Sequence, residues 1–314
     1  TILDTSFWAY VKPNSDNISK FKQFLSGDQS EDETIALAND LLTENGLGGG
    51  ASLGIGYVGK GLGLGFYAVS DEFASGETAM GARLTSSSAV NIVVGLGVPL
   101  EIAGLRLNLG GDARPFYRVD SAEGGWSLIE LIQGADVRDE PVVAGFGLAM
   151  DLGATLELGS LTVGLSVRDL SPSFVMDDYL LGDVLDALSS GSLPEAGADA
   201  DKVLMTPYVT AGLSWKPTLI PGLLEPGLYF ELADPIRAVQ DKDSFWNLLH
   251  AGADLRCLGF ATARLGLNRG WMSAGLGFDL LFCELDAAVF TEELGRRPGD
   301  LPRTGVIVQA AFRL

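Results

Sequence analysis

The chain has 314 residues, 47% of them apolar, and a formal net charge of −20; its mean hydropathy is +0.24. The charge argues against a nucleic-acid partner, because holding phosphates relies on clustered Lys and Arg. No uninterrupted apolar run reaches the roughly 18 residues that a membrane-crossing helix needs, and the two cysteines, Cys257 and Cys283, form neither a disulfide framework nor a metal-ligand spacing.

The N-terminus, Thr1-Ile2-Leu3-Asp4, carries no basic region followed by an apolar stretch. Any export signal is therefore expected to have been removed, or the sequence to be truncated. A first strand is predicted over 2–11. The connection 12–48 is too patterned for a plain loop. Ile18, Phe21, Phe24 and Leu25 share one helical face, and Ser30 with Glu33 forms a capping box ahead of Ile35, Ala38, Leu41 and Leu42. Asn45-Gly46 closes that second helix.

Strands are then predicted over 49–58, 61–70, 77–98 and 104–119. Gly falls at every second position in Leu53-Gly54-Ile55-Gly56 and Leu62-Gly63-Leu64-Gly65, a period that belongs to strands. The connection 120–140 holds a second capping-box pattern, Ser127 with Glu130. Strands over 141–157 and 160–171 follow, and the connection 172–202 carries the stripe Leu181, Val184, Leu185 and Leu188. Seven of the predicted strands precede residue 172.

The remaining strands are placed at 203–216, 224–233, 248–258, 260–269, 271–281, 283–294 and 303–314, after a connection at 234–247. Their two faces differ. Ala274, Leu276, Phe278 and Leu280 oppose Ser273, Gly275, Gly277 and Asp279, and Leu285, Ala287 and Val289 oppose Glu284, Asp286 and Ala288. Alternation of this kind fits both a soluble sandwich and a membrane barrel.

Connection lengths separate the two. The turns at Gly59-Lys60, Pro99 to Ala103, Gly159, Pro217 to Leu223, Gly259 and Phe282 are short. The long connections, 12–48, 120–140, 172–202 and 234–247, all fall on the other side, with shorter ones near 71–76, at Gly270 and at 295–302. An even strand count with short turns at one end and long loops at the other is the pattern of bacterial outer-membrane barrels. The expected fold is all-β: residues 1–314 as a single closed antiparallel barrel of about 14 strands in the bacterial outer membrane. Helical caps over its outer mouth are expected from 12–48, 120–140 and 172–202.

The predicted inward face includes Arg106, Asp112, Arg114, Arg168, Asp254, Arg256, Arg264, Asp279, Glu284, Asp286 and Arg313, with both signs nearly balanced. Ion pairing would let these charges sit inside a barrel; a polar path through it is the functional alternative. Inward Gly at 54, 56, 63, 65, 95, 97, 145, 147, 275 and 277 leaves room for tight bending, a plug or a solute. At the rim, Phe21, Phe24, Leu25, Leu41 and Leu42 either pack the loops together or form a greasy entrance for a hydrophobic ligand.

His250 is the only histidine, and it falls on an inward strand position, so His-based catalysis or metal binding has at most one candidate. The Gly-Leu-Gly-Gly-Gly stretch at 46–50 lacks the Gly-Lys-Ser/Thr of a phosphate loop. No enzyme, metal or cofactor is expected.

The stretches Ser244-Phe245-Trp246-Asn247-Leu248-Leu249-His250-Ala251-Gly252-Ala253-Asp254, Leu265-Gly266-Leu267-Asn268-Arg269-Gly270 and Phe290-Thr291-Glu292-Glu293-Leu294-Gly295 resemble the TraF-like outer-membrane proteins, of the wider FadL and PorV group. Weaker agreement lies at 109–116 and 164–170. The resemblance implies a fourteen-stranded barrel and, for the FadL branch, uptake of long-chain fatty acids or other small hydrophobic molecules. The chain departs from that branch in lacking a segment with an Asn-Pro-Ala motif ahead of Thr1 to Tyr10. It also ends in Leu314 in place of an aromatic, with Phe312 two positions earlier. The alternative, from the PorV branch and the long acidic loops, is a non-transporting barrel that scaffolds a partner protein at loops 12–48 or 172–202. Membrane lipid is the partner expected in either case.

Overall fold

The computed structural model describes residues 2–12, 15–170, 173–195, 197, 200–235, 245–295 and 297–313. Among them, seventeen strands form one antiparallel sheet. They are β1 (Ile2–Tyr10), β2 (Leu47–Gly59), β3 (Leu62–Ser75), β4 (Arg83–Ile102), β5 (Leu105–Ser121), β6 (Trp126–Ser127), β7 (Pro141–Leu158), β8 (Leu161–Arg168), β9 (Ser173–Leu180), β10 (Asp201–Leu204), β11 (Tyr208–Trp215), β12 (Leu224–Ala233), β13 (Leu249–Cys257), β14 (Ala261–Asn268), β15 (Trp271–Asp279), β16 (Cys283–Glu293) and β17 (Pro302–Arg313). The sheet closes because β1 pairs with β17, Ile2 opposite Arg313, and with β2, Ile2 opposite Gly56. The short β6 and the β9–β10 pair are additions at one end, so fourteen strands make the barrel. Closure leaves no edge with unpaired backbone groups.

Both chain ends and the short turns share one end of the barrel, called here the near end; the long connections share the far end. Lys60 (φ 54°) and Gly61 (φ 79°) both adopt the left-handed conformation in the turn from β2 to β3, the geometry whose twist matches a two-residue hairpin. The same pairing of positive φ angles recurs at Ala103-Gly104. That places the β4–β5 turn after the expected Pro99 bend, with Pro99 inside β4 opposite Asn108. The Gly97 amide donates to Gly61 at 2.8 Å, at the end of the β3 hairpin. Two residues on, Pro99 would point its missing N–H the same way, past the end of β3, so the ladder loses nothing.

Other strand limits differ for a similar reason. β3 runs on to Ser75 and β4 starts at Arg83, so the connection is 76–82 in place of 71–76. The predicted 160–171 strand stops at Arg168, and the expected loop 172–202 contains strand structure: β9 takes over pairing with the far-end half of β7, from Pro141 opposite Leu180 to Phe146 opposite Val175.

Four α-helices lie at the far end among the described residues: α1 (Ser15–Ser26), α2 (Glu31–Asn45), α3 (Leu128–Ile132) and α4 (Leu181–Ser189). The Ser30–Glu33 capping box is present in full, and Gly46 (φ 81°) closes α2. Ser127 caps α3 by position only, with no side-chain hydrogen bond, so the second expected box does not form.

Register fixes the two faces of the wall. On β4, Ile92, Val94 and Leu96 point outward, Leu96 being 65% exposed, while Asn91 points inward and is 3% exposed. The outward apolar surface continues through Leu265, Leu276, Phe278 and Val308. The two clusters of fully buried apolar side chains lie outside the wall. One joins Ala38, Leu41 and Leu42 of α2 to outward strand residues Leu47 and Ala74, and the other joins Val184 of α4 to Trp126, Val142 and Ala144. The helices therefore lean against the outer wall at the far end. They do not cap the mouth. The outward residues there are apolar, and helix faces are what remove them from water.

Candidate functional site

The helix α1 crosses the outer face of the wall where the barrel closes. Beneath it lies a groove of about 580 Å³, lined by Phe21, Phe24 and Leu25 of α1, Phe7 and Ala9 of β1, Val306 and Val308 of β17, Leu84 of β4, Leu128 of α3, and Glu72 and Ala74 of β3. Phe7 and Val308 are also members of the outward apolar surface, 60% and 55% exposed. The groove thus opens onto that surface. Leu25, 67% exposed, stands at its rim.

Of the five residues expected at a greasy entrance, Phe21, Phe24 and Leu25 line this groove. Leu41 and Leu42 do not; both are buried in the cluster behind it, with Phe21 and Phe24 packed on that cluster. The helix pair is held by polar ties. Lys20 of α1 bridges Asp16 and Asp40 at 3.0 Å each, and its hydrogen bonds with these carboxylates raise the lysine pKa. Asn39 accepts from the Ala79 amide at 2.6 Å. Asn45 donates to the Thr304 carbonyl and accepts from the Thr304 amide, both at 2.8 Å.

Where β2 passes behind the groove, the wall is glycine at 48–50. A Cβ on Gly48 would collide with the Glu72 carbonyl, one on Gly49 would press on the Trp8 carbonyl, and one on Gly50 would strike the Trp8 ring. Only bare backbone fits between the groove and Trp8, which belongs to the inward face of β1. Trp8 Nε1 donates to Asp71 at 2.6 Å and Tyr10 donates to the same oxygen at 2.5 Å. Arg303 stacks 3.7 Å from the Tyr10 ring centre and 4.7 Å from that of Phe73, and it pairs with Asp71 at 3.5 Å and Glu292 at 2.6 Å. These residues come from β1, β3, β16 and β17. None was singled out in sequence, where Trp8 and Tyr10 at alternate inward positions were the one available signal.

Further toward the near end, the lumen carries two walls of charge. On one, Arg256 pairs with Asp279 at 2.8 Å, Arg313 with Asp279 at 3.5 Å and Glu284 at 3.2 Å, and Arg264 with Asp286 and with Glu284 at 3.8 Å. Asp254 accepts from Tyr229 at 2.8 Å. On the other, Arg114 meets Asp169 at 3.1 Å and Asp151 at 4.0 Å, and Arg106 meets Glu157 at 3.6 Å. Arg168 stacks on Tyr208 at 4.7 Å. Asp112 lies opposite Asp151 in register and forms no ion pair among the described residues. Cavities of about 630 and 700 Å³ lie against these walls, the first beside Arg264, Glu284 and Asp286, the second beside Asp112, Asp151 and Arg168. Inward Gly56, Gly63 and Gly65 line the second one and leave it wide: a Cβ at any of them would meet nothing closer than 3.3 Å.

His250 faces the lumen with Glu231 and Asn268 as its strand neighbours, and no hydrogen bond reaches its ring among the described residues. No group of three metal-ligating side chains occurs among them, and Cys257 and Cys283 are free thiols.

No family model matches the chain, and no curated protein matches it. The likeness to TraF-like proteins therefore rests on the sequence stretches alone. Solved structures do match over nearly the whole chain. The toluene transporter TbuX of Ralstonia pickettii is 9% identical, with 100% of this chain and 88% of that one covered, at a TM-score of 0.48. The toluene transporter TodX of P. putida is 10% identical over 100% and 90%, at 0.47. A Pseudomonas aeruginosa FadL homologue is 11% identical over 99% and 89%, at 0.43.

Proposed function

We propose that the chain is a bacterial outer-membrane barrel that takes small hydrophobic molecules, through the groove between α1 and the outer wall, toward the lumen. One observation carries the reading: Phe7 and Val308 belong at once to the outward apolar surface and to the groove. A molecule dissolved among lipid chains would reach the groove without crossing water, and the volume is of the size that small ligands occupy. The outward apolar surface supports a lipid environment, and the opening of the groove onto that surface supports access from the lipid side. Long-chain fatty acids, the class implied by the likeness to the FadL branch, and hydrocarbons are both candidate cargoes.

The test is uptake by cells that produce the protein, with a radiolabelled aliphatic hydrocarbon and a radiolabelled long-chain fatty acid. Ala9 lines the groove from β1, and Ala9→Trp fills it from the lipid side without touching the lumen. Uptake of at least one label that Ala9→Trp abolishes supports the reading. Uptake equal to that of cells without the protein contradicts it.

A further inference from the structure

The groove is apolar except at one place. Glu72 is the only ionisable residue among those that line it. It points outward from β3, half-buried, on the same face as Ser70 and Ala74. Ser70 donates to Glu72 Oε1 at 2.6 Å, and Ser70 and Ser88 share a second hydrogen bond at 2.6 Å. The other oxygen, Oε2, has no hydrogen-bond partner among the described residues. No cation pairs with Glu72 there either: Lys20 is committed to Asp16 and Asp40, and Lys22, exposed on α1, forms no ion pair with it.

A carboxylate with one filled and one open oxygen, set in an apolar groove, is an acceptor waiting for a donor. Once a cargo fills the groove and displaces water from this oxygen, leaving it without a donor is costly, so a head group that satisfies it is favoured. Resting on the proposed entry of hydrophobic molecules through this groove, we infer that its preferred cargo is an apolar molecule with a hydrogen-bond donor at one end, an alcohol or an ammonium, and that fatty carboxylates are disfavoured. The apolar body would lie along Phe21, Phe24 and Val308 while the head donates to Glu72 Oε2. A carboxylate head would bring two negative charges together in a region of low dielectric, where like charges repel most.

The test uses Trp8, which borders the groove. Twelve-carbon chains brominated at the tail and ending in an amine, an alcohol or a carboxylate are titrated into the amphipol-held protein at neutral pH. Fluorescence quenching is read as the difference from Trp8→Phe, which removes the reporter. The amine and the alcohol are expected to bind at least about tenfold more tightly than the carboxylate, with Glu72→Gln reducing the amine's advantage to about threefold or less. A carboxylate that binds as tightly as the amine, or an advantage that survives in Glu72→Gln, overturns the inference. Equal quenching by all three overturns the selectivity and leaves the groove as an entry site. No quenching by any of them overturns both.

Discussion

Asn45 makes a two-bond ring with the backbone of Thr304, donating to its carbonyl and accepting from its amide at 2.8 Å each. Residues 259 positions apart are thereby joined in the manner of strand partners, and the C-terminus of α2 is pinned to the start of β17. The tie holds the helix pair in place beside the seam where β17 meets β1.

Asn45→Ala removes both bonds and leaves the half-buried Thr304 groups to find water. The helix pair is expected to loosen by about 1–3 kcal/mol, with the barrel unaffected. Hydrogen exchange read by mass spectrometry should show faster exchange over 31–45 and unchanged protection in β13 to β16. Equal loss of protection in those strands would mean that the tie supports the whole barrel.

The capping box makes the same helix sensitive to acid. The Ser30 amide, followed by its hydroxyl, donates to Glu33 and holds that carboxyl below the usual carboxylate range. A folded-state pKa below the unfolded one adds stability that is fully present above the ordinary glutamate value, and it is lost as pH falls through the depressed value. Helix α2 should therefore fray on acidification in that window, and Glu33→Gln should flatten the response. Exchange rates over 31–36 measured from neutral pH to about pH 3 check this; an identical profile in Glu33→Gln would show that another group governs it.

Arg303 is the keystone of the inward cluster at the far end, with its side chain 12% exposed between Asp71 and Glu292. Arg303→Ala strands two carboxylates and uncovers the faces of Tyr10 and Phe73. Removing one member of a buried pair costs about 3–5 kcal/mol, and the partial exposure of both carboxylates lowers the expectation to about 2 kcal/mol. Denaturant titrations followed by heat-modifiable migration would show it as a lower midpoint. Arg303→Met, which keeps most of the stacking, should recover part of the loss; no recovery would place the whole effect in the charges.

Much of the barrel is legible in the sequence because its period is two and one face is apolar. β12 lies at the predicted 224–233, and outward Leu276 and Leu285 with inward Asp279 and Glu284 follow from alternation alone. Pro99 misled because a proline reads as a turn, while the missing neighbour that tolerates it depends on where β3 ends. The helices show the converse limit. Phe21 and Phe24 announce an apolar face, but which surface meets that face depends on outward Leu47, Ala74 and Leu84 being brought together by closure. Leu41 and Leu42 look the same in sequence as Leu25, yet two are buried and one stands at the rim. The cluster of Trp8, Tyr10, Asp71, Glu292 and Arg303 and the placement of Glu72 beneath α1 arise only when β1, β3, β16 and β17 share one wall.

The most direct test of entry beside α1 is photolabelling in lipid vesicles with a diazirine-bearing twelve-carbon chain, mapped by mass spectrometry. Labelling of the outward surface at large is expected from lipid exposure alone, so the decisive signal is the label that an excess of unlabelled chain displaces. That displaceable label should concentrate on Phe21, Phe24 and Leu128, which face the groove. Displaceable label confined to lumen residues such as Arg264 or Gln309, with none on α1, would contradict the account.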